Sequence, residues 1–431
     1  MTVRQILIPV CIALLAAAAA NAADTPAPKN PNDPPGDADA LSLADEAKPE
    51  KRAQRAWQAF GEAALSRTAQ RGGQPTLDGR RLSLDLRWDD SLAPGLRAVL
   101  SDRLDLSHSS ESPRETNVNT LREAYLSWHA SPELIADVGR INLRYGAALG
   151  YNPTDHFKTG ALRSIVSPDP NTLRENRQGS VVLQGQKLWS GSSLSAVLSP
   201  EIGHAPSDAT FSLDANATNP RDRWLLAASH KFSDNFNPQV VLHGGAGLAT
   251  QVGLNLSALL GSSTTAFLEF STGKGRSLVA QAQGLPEIER TQRRAAVGAS
   301  YTTPFNLSLT AEVEHNSAAP NRAQWNAFSA AAPGNAQRLL GLSELQQDLP
   351  VRNALFIYAA WRDMGIRNLD LSAFIRRDGA THSRALWGET RYRWGGAELA
   401  LQWQAFSGDP SSLYGAVPQP RRVELLLRYF L

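Results

Sequence analysis

Arg421-Arg-Val-Glu-Leu-Leu-Leu-Arg-Tyr-Phe-Leu431 closes the sequence. Read with a period of two, Val423, Leu425, Leu427, Tyr429 and Leu431 share one face, and Arg422, Glu424, Leu426, Arg428 and Phe430 share the other. A strand with one continuous apolar face suits a sheet set between an apolar medium and a wet interior. In a membrane such a sheet must close on itself, because an open edge would leave backbone groups without partners in hydrocarbon. The stretch therefore predicts the closing strand of a transmembrane β-barrel. A half-exposed strand of a soluble sheet would carry the same alternation, so the rest of the chain has to decide.

The same period recurs upstream. Leu82, Leu84, Leu86 and Trp88 alternate with Arg81, Ser83, Asp85 and Arg87. Leu307, Leu309, Ala311 and Val313 alternate with Ser308, Thr310, Glu312 and Glu314. Leu369, Leu371, Ala373 and Ile375 alternate with Asp370, Ser372, Phe374 and Arg376, and Leu399, Leu401 and Trp403 with Glu398, Ala400, Gln402 and Gln404. About 17 such segments of roughly 9–12 residues are the pattern of a membrane barrel. Short connections, as after His129, Trp189, Phe232, Thr303, Arg362 and Trp394, take turns with long ones near 107–118, 145–179, 201–222, 273–291, 316–352 and 407–420. That asymmetry matches short periplasmic turns and long external loops. The segment near 77–88 would run downwards, so Trp57–Thr68 is read as the upward first strand despite its helical propensity. The reading is all-β: an antiparallel transmembrane barrel of about 18 strands, with 16 as the fallback, over residues 57–431. Trp88, Trp128, Trp224, Tyr301, Trp361, Tyr392 and Tyr429 near strand ends suit interfacial girdles. A soluble sandwich or propeller would want neither girdles nor strands this long.

The other end of the chain agrees. Met1-Thr-Val-Arg4, an apolar run from Ile6 and Ala20-Asn21-Ala22 read as a signal peptide over 1–22, which predicts export through the Sec pathway. Residues 23–56 read as a Pro/Asp-rich periplasmic tether followed by a short charged helix. The single cysteine, Cys11, falls inside the leader, so disulfides, Cys-bound zinc and cysteine nucleophiles are excluded from the mature protein. A net charge of +2 gives no case for nucleic acid. Within that balance, 36 of the 43 basic residues are arginine, the side chain suited to fixed bidentate work on carboxylate and phosphate.

One stretch breaks the alternation. Gly139-Arg-Ile-Asn-Leu-Arg-Tyr-Gly146 leads through Tyr151 into Asn152-Pro-Thr-Asp155 and on past Arg163, Arg174 and Arg177, a connection too long to be a simple turn. G-R-x5-G followed by N-P-x-D resembles porin-like outer-membrane barrels grouped around the alginate-export proteins and their uncharacterised relatives. The C-terminal alternation, with an aromatic at Tyr429, resembles the signal read by the barrel-assembly machinery, although the last residue is Leu431 where that signal usually has an aromatic. The first resemblance implies that the long loop, 147–178, folds into the lumen and narrows it. The other possibility is an external cap on the barrel wall.

The constriction residues expected on this reading are Arg140, Arg144, Tyr151, Asn152, Asp155 and Arg163, faced by the inward arginines Arg376, Arg391, Arg393, Arg422 and Arg428. A ring of arginines would draw anions inward; salt-bridged ladders with Asp85, Asp105, Glu123, Asp370, Glu389, Glu398 and Glu424 would instead rigidify the wall. Catalysis has no support. The eight histidines show no metal-ligand spacing, no glycine-rich phosphate loop opens a helix, and no metal or cofactor is expected. The function expected is an outer-membrane channel or export porin for a hydrophilic solute or polysaccharide, with the arginines favouring an anionic one. A non-conducting barrel that scaffolds a surface polymer or envelope complex is the alternative. The partners expected are outer-membrane lipid and lipopolysaccharide, the assembly machinery, and the solute.

Overall fold

The computed structural model describes residues 56–110, 112–203, 207, 209–286 and 288–431. The leader and the tether read over 1–55 lie outside the described residues.

Eighteen antiparallel strands form one sheet that closes on itself. The first run is β1 (Trp57–Ala69), β2 (Leu77–Ala93), β3 (Leu96–Ser109), β4 (Ser112–Ser131), β5 (Leu134–Ile141) and β6 (Ser180–Trp189). There follow β7 (Ser192–Ser199), β8 (Arg223–His230), β9 (Gln239–Gly245), β10 (Leu248–Leu260), β11 (Thr264–Gly275) and β12 (Arg290–Thr302). The last are β13 (Leu307–Asn316), β14 (Asn353–Trp361), β15 (Leu369–Asp378), β16 (Arg384–Trp394), β17 (Ala397–Ser407) and β18 (Arg421–Phe430). Each strand pairs with its sequence neighbours, and β18 closes onto β1. The helical propensity of 57–68 is overridden because its backbone groups pair on both sides, with β18 and with β2.

The register shows why the alternation had to be continuous. Across the seam Leu65 faces Leu425, Ala63 faces Leu427 and Gly61 faces Tyr429 on the outer wall, while Glu62 meets Arg428 and Ser66 meets Glu424 inside. A one-residue slip would turn these outward leucines into the lumen and these lumenal charges onto the outer wall. Leu65, Leu82, Leu84, Leu425 and Leu427 are accordingly exposed on the outside, whereas Glu62, Arg81, Asp85, Arg103 and Glu424 are buried inside. Trp57, Trp128, Trp189, Tyr301, Tyr392, Trp394 and Tyr429 are exposed near the end that carries the short turns, as an aromatic girdle requires.

The opposite end carries the long connections, but β3 and β4, like β9 and β10, are joined there by only two residues, and β15 and β16 by five. The long connection expected near 107–118 is instead strand, because β3 and β4 go on pairing as far as Ser109 and Ser112. Among the described residues five helices interrupt these loops: α1 (Pro170–Glu175), α2 (Ala215–Thr218), α3 (Leu278–Gln283), α4 (Arg322–Ala331) and α5 (Asn335–Gln346). Asn321 caps α4 reciprocally with Gln324, which satisfies two otherwise orphaned amides. The buried faces of these helices, with Leu278, Trp325, Phe328 and Leu339, join Ala148, Tyr151, Leu349, Leu413 and Tyr414 in one apolar cluster. The barrel thus has a core of its own, built from loops. Among the described residues no helix is long and apolar enough to cross a membrane.

A candidate solute pathway

The segment 142–179 leaves β5 and turns inward, and its root is clamped to the far wall by two buried carboxylates. The amide of Ala148 donates to Glu269 on β11 at 2.5 Å. Those of Leu149 and Gly150 donate to the two oxygens of Glu312 on β13 at 2.5 and 2.9 Å. The Asn152 amide group reaches the carbonyl of Ala148 and lies 3.3 Å from Glu269. The Thr154 hydroxyl sits between Asn255, at 2.7 Å, and Glu269, at 3.2 Å. The glycines of the motif follow from this packing. Gly146 has φ +86°, and a β-carbon there would overlap the Glu269 carboxylate. Gly139, at φ +132°, lies against the backbone of Ala124 and Tyr125. No L side chain fits either place.

A second set of contacts holds the body of the loop. Arg376 on β15 donates to the carbonyl of Gly150 at 2.5 Å and pairs with Glu314 at 2.9 Å. The Tyr151 hydroxyl donates to Asp348 at 2.5 Å, and Asp348 is bridged by Arg294 at 3.2 Å. Burial pushes the Asp348 carboxyl up, but Arg294 and Lys158 outweigh it and hold the group below its usual range. Burial pushes the Tyr151 phenol well up. Lys158 donates to the carbonyl of Asn152 at 2.7 Å; its burial without an ion-pair partner at bonding distance lowers its pKa to about 8. Asp155 pairs with Arg177 at 2.5 Å, and Arg177 continues to Gln347 beyond α5 at 2.7 Å. Tyr358 reaches Asp169 at 3.0 Å.

The wall opposite the clamp carries an ion-pair ladder. Glu62 accepts from Arg81 at 2.9 Å, Arg103 at 3.0 Å and Arg428 at 2.9 Å. Arg81 extends to Glu424, Arg103 to Asp85 and Asp105, and Asp85 to Arg122. Arg391 joins Glu389 and Glu398, Arg393 joins Asp370, and Arg422 joins Glu424. The lumenal arginines of this wall are thus matched by carboxylates from neighbouring strands.

Between the loop and this wall lies a cavity of about 720 Å³. Of the residues expected at a constriction, Tyr151, Asn152, Arg376 and Arg422 line it, together with Arg174 and Arg177 from the same loop. The others lie elsewhere. Arg140 is buried and donates to the carbonyls of Leu121 and Leu213, and Arg163 to those of Asn119 and Ser212. Asp155 is 1% exposed beneath Arg177. These three are cross-links of the packed loop rather than surface it presents to the cavity. Arg391, Arg393 and Arg428 sit in the ladder. Arg144 is exposed at the root of the loop with no carboxylate at bridging distance.

The sequence reading missed the clamp. Glu312 was visible as an acid on the lumenal side of an apolar strand, but nothing local marked it as the acceptor for the amides of Leu149 and Gly150, more than 160 residues away. The cavity also has an aromatic shelf of Phe356, Phe374 and Trp387, with ring centroids 5.5 and 5.7 Å apart along the series. Among the described residues no group of three His, Cys, Asp or Glu could hold a metal ion.

No family model matches the chain, and no curated protein matches it. Solved structures do share its fold. The chain is similar to OccAB1 of Acinetobacter baumannii, with a TM-score of 0.53 and 10% identity over 87% of this chain and 96% of that one. OccK5 (OpdH) of Pseudomonas aeruginosa gives 0.52 and 11%, over 87% and 98%. OccK2 (OpdF) of the same organism gives 0.51 and 11%, over 87% and 97%. At such identities the likeness is one of fold, and it bears out the porin-like barrel expected from the sequence. The alginate-export grouping suggested by the loop motif finds no matching model.

Proposed function

We propose that this barrel is an outer-membrane channel for small hydrophilic solutes, narrowed by the inward segment 142–179. One observation carries the reading: the segment is tied to one side of the lumen by Glu269, Glu312 and Arg376, and a cavity of about 720 Å³ remains on the other side. Tyr151, Asn152, Arg174, Arg177, Arg376 and Arg422 would line the constriction. Anion preference in this proposal rests on the loop and not on the ladder. Ladder arginines are neutralised by their carboxylates. Among the described residues, Arg144, at the exposed root of the loop and outside the cavity lining, has no carboxylate at bridging distance, and Arg174, which lines the cavity, is held by the carbonyls of Gly146 and Ala148. Cations with no carboxylate at bridging distance raise the local anion concentration.

The test is single-channel current of the refolded protein in a planar bilayer under a salt gradient. Steady openings with an anion-favouring reversal potential are expected, shifted towards zero by Arg144→Gln with Arg174→Gln. A second reading, a non-conducting scaffold, draws on the extent to which 142–179, α4, α5 and the 408–420 connection pack together within one apolar cluster. A silent bilayer from correctly folded, heat-modifiable protein would favour it and overturn the channel.

A further inference from the structure

The outer wall also has a feature that conduction does not use. Along β1 the outward positions Gly61 and Ala63 are small, and they lie between Leu82 and Leu84 of β2 and Leu427 and Tyr429 of β18. A β-carbon at Gly61 would meet open space. The result is a groove of about 680 Å³ on the outer face, floored by Ala63 and walled by Leu65, Leu82, Leu106, Leu425 and Leu427. At its upper end stand Arg80 and His108, directly opposed across β2 and β3, with Asn117 beside them.

Arg80 contrasts with its neighbours. Arg81, the next residue, is buried between Glu62 and Glu424, and Arg67, two positions above Leu65, is paired with Asp78 at 2.9 Å. Among the described residues Arg80, which is exposed, has no carboxylate at bridging distance, and the His108 ring has no hydrogen-bond partner. An arginine turned outward above an apolar band, with no carboxylate bridged to it among the described residues, is costly unless the surroundings supply a counter-charge.

Its height is informative. Trp88 pairs with Trp57 in the girdle of the short-turn end, eight residues along β2 from Arg80. At ~3.4 Å per residue and a tilt of ~40° that is roughly 21 Å across the bilayer, close to the height of a barrel's apolar band. Arg80 therefore stands at the headgroup level of the far leaflet, on the side of the long loops.

We infer that this groove is a binding site for one phosphorylated lipid of the outer leaflet. An acyl chain lies along Ala63 between Leu65, Leu82 and Leu427, and the headgroup phosphate is held by Arg80 with His108 and Asn117. The acyl chain supplies contact area in proportion to the apolar surface it covers, and the phosphate supplies the charge that Arg80 lacks. The inference rests on the barrel lying in an outer membrane with its long loops outside, and not on whether the lumen conducts.

The test uses the full-length mature protein refolded in detergent. The protein is mixed with diphosphorylated lipid A or with its dephosphorylated form, passed over a sizing column, and the lipid that stays with it is weighed by native mass spectrometry. The wild type is expected to retain one phosphorylated lipid. Arg80→Gln should weaken retention by about tenfold, the loss expected for one charge-assisted contact. Ala63→Phe fills the groove from the lipid side and should abolish retention. Both variants should keep the heat-dependent gel shift and the wild-type conductance, so failure of the site is distinguishable from failure of the channel. Equal retention of the two lipid forms, or retention unchanged in Arg80→Gln and Ala63→Phe, overturns the inference. So does displacement of the lipid by 10 mM inorganic phosphate, which would make Arg80 a free-anion site.

Discussion

At position 146 a β-carbon would overlap the Glu269 carboxylate, and the backbone sits at φ +86°. Gly146→Val therefore cannot be accommodated in the docked loop. It should cost the docking about 1–3 kcal/mol for each amide contact to Glu269 or Glu312 that is lost, with larger and noisier single-channel openings as the readout. Conductance identical to wild type would show that the loop root does not set the pore. His156 makes a second prediction at this scale. Its ring stacks on His243 with centroids 4.6 Å apart, and Phe157, also against His243, adds no charge. The charges that face the pair are Lys158, Arg294 and Arg223, all cationic. Burial first, then His243, Lys158 and Arg294, hold the His156 imidazole well below 6.5. A freed loop takes up a proton at His156 near pH 6.5 and the docked loop does not, so docking is fully stable above that pH and weakens as pH falls below it. Amide exchange in 150–160 should accelerate between pH 7 and 5 in the wild type and stay flat in His156→Gln. Of these residues the sequence marked only the glycine, because a backbone constraint is local whereas a stacked partner 87 positions away is not.

The elements divide in the same way. Strands were readable because the period of two is written residue by residue, and even β1 was recovered from the need for an upward neighbour to β2. The helices of the long loops were not read. In α4 the signal was present as Asn321-x-x-Gln324, but its apolar side chains pack on loops from distant parts of the chain. Trp325 shows the dependence. It is 1% exposed, and its indole N–H donates to the carbonyl of Ser411 at 2.9 Å. Trp325→Ala should remove about 3–5 kcal/mol of packing and release the 408–420 connection, visible as new protease cleavage there while the strands stay protected. No change in cleavage would mean that the connection is held by Arg71, which donates to the carbonyl of Val417 at 2.8 Å.

For the molecule as a whole, closure is the decisive event, and Glu62 sits at its seam. It takes arginines from β2, β3 and β18 at once. Glu62→Gln leaves the buried Arg81 and Arg103 and the partly exposed Arg428 without their shared carboxylate. Breaking such a buried pair costs about 3–5 kcal/mol, so the temperature at which the folded band disappears on a gel should fall. An unchanged transition would show that the β1–β18 backbone ladder closes the barrel alone. The sequence by itself determined the barrel: strand number, the apolar outer wall and the end that carries the long loops all follow from short-range periodicity and connection length. Tertiary structure alone decided which arginines are neutralised and where the lumenal cavity lies. Arg81 and Glu424 are 343 positions apart, and the acceptors for the loop amides of Leu149 and Gly150 lie 163 and 162 residues downstream. The physical reason is that a charge or an amide is indifferent to sequence distance; its state is set by what closure and register place within about 3 Å of it.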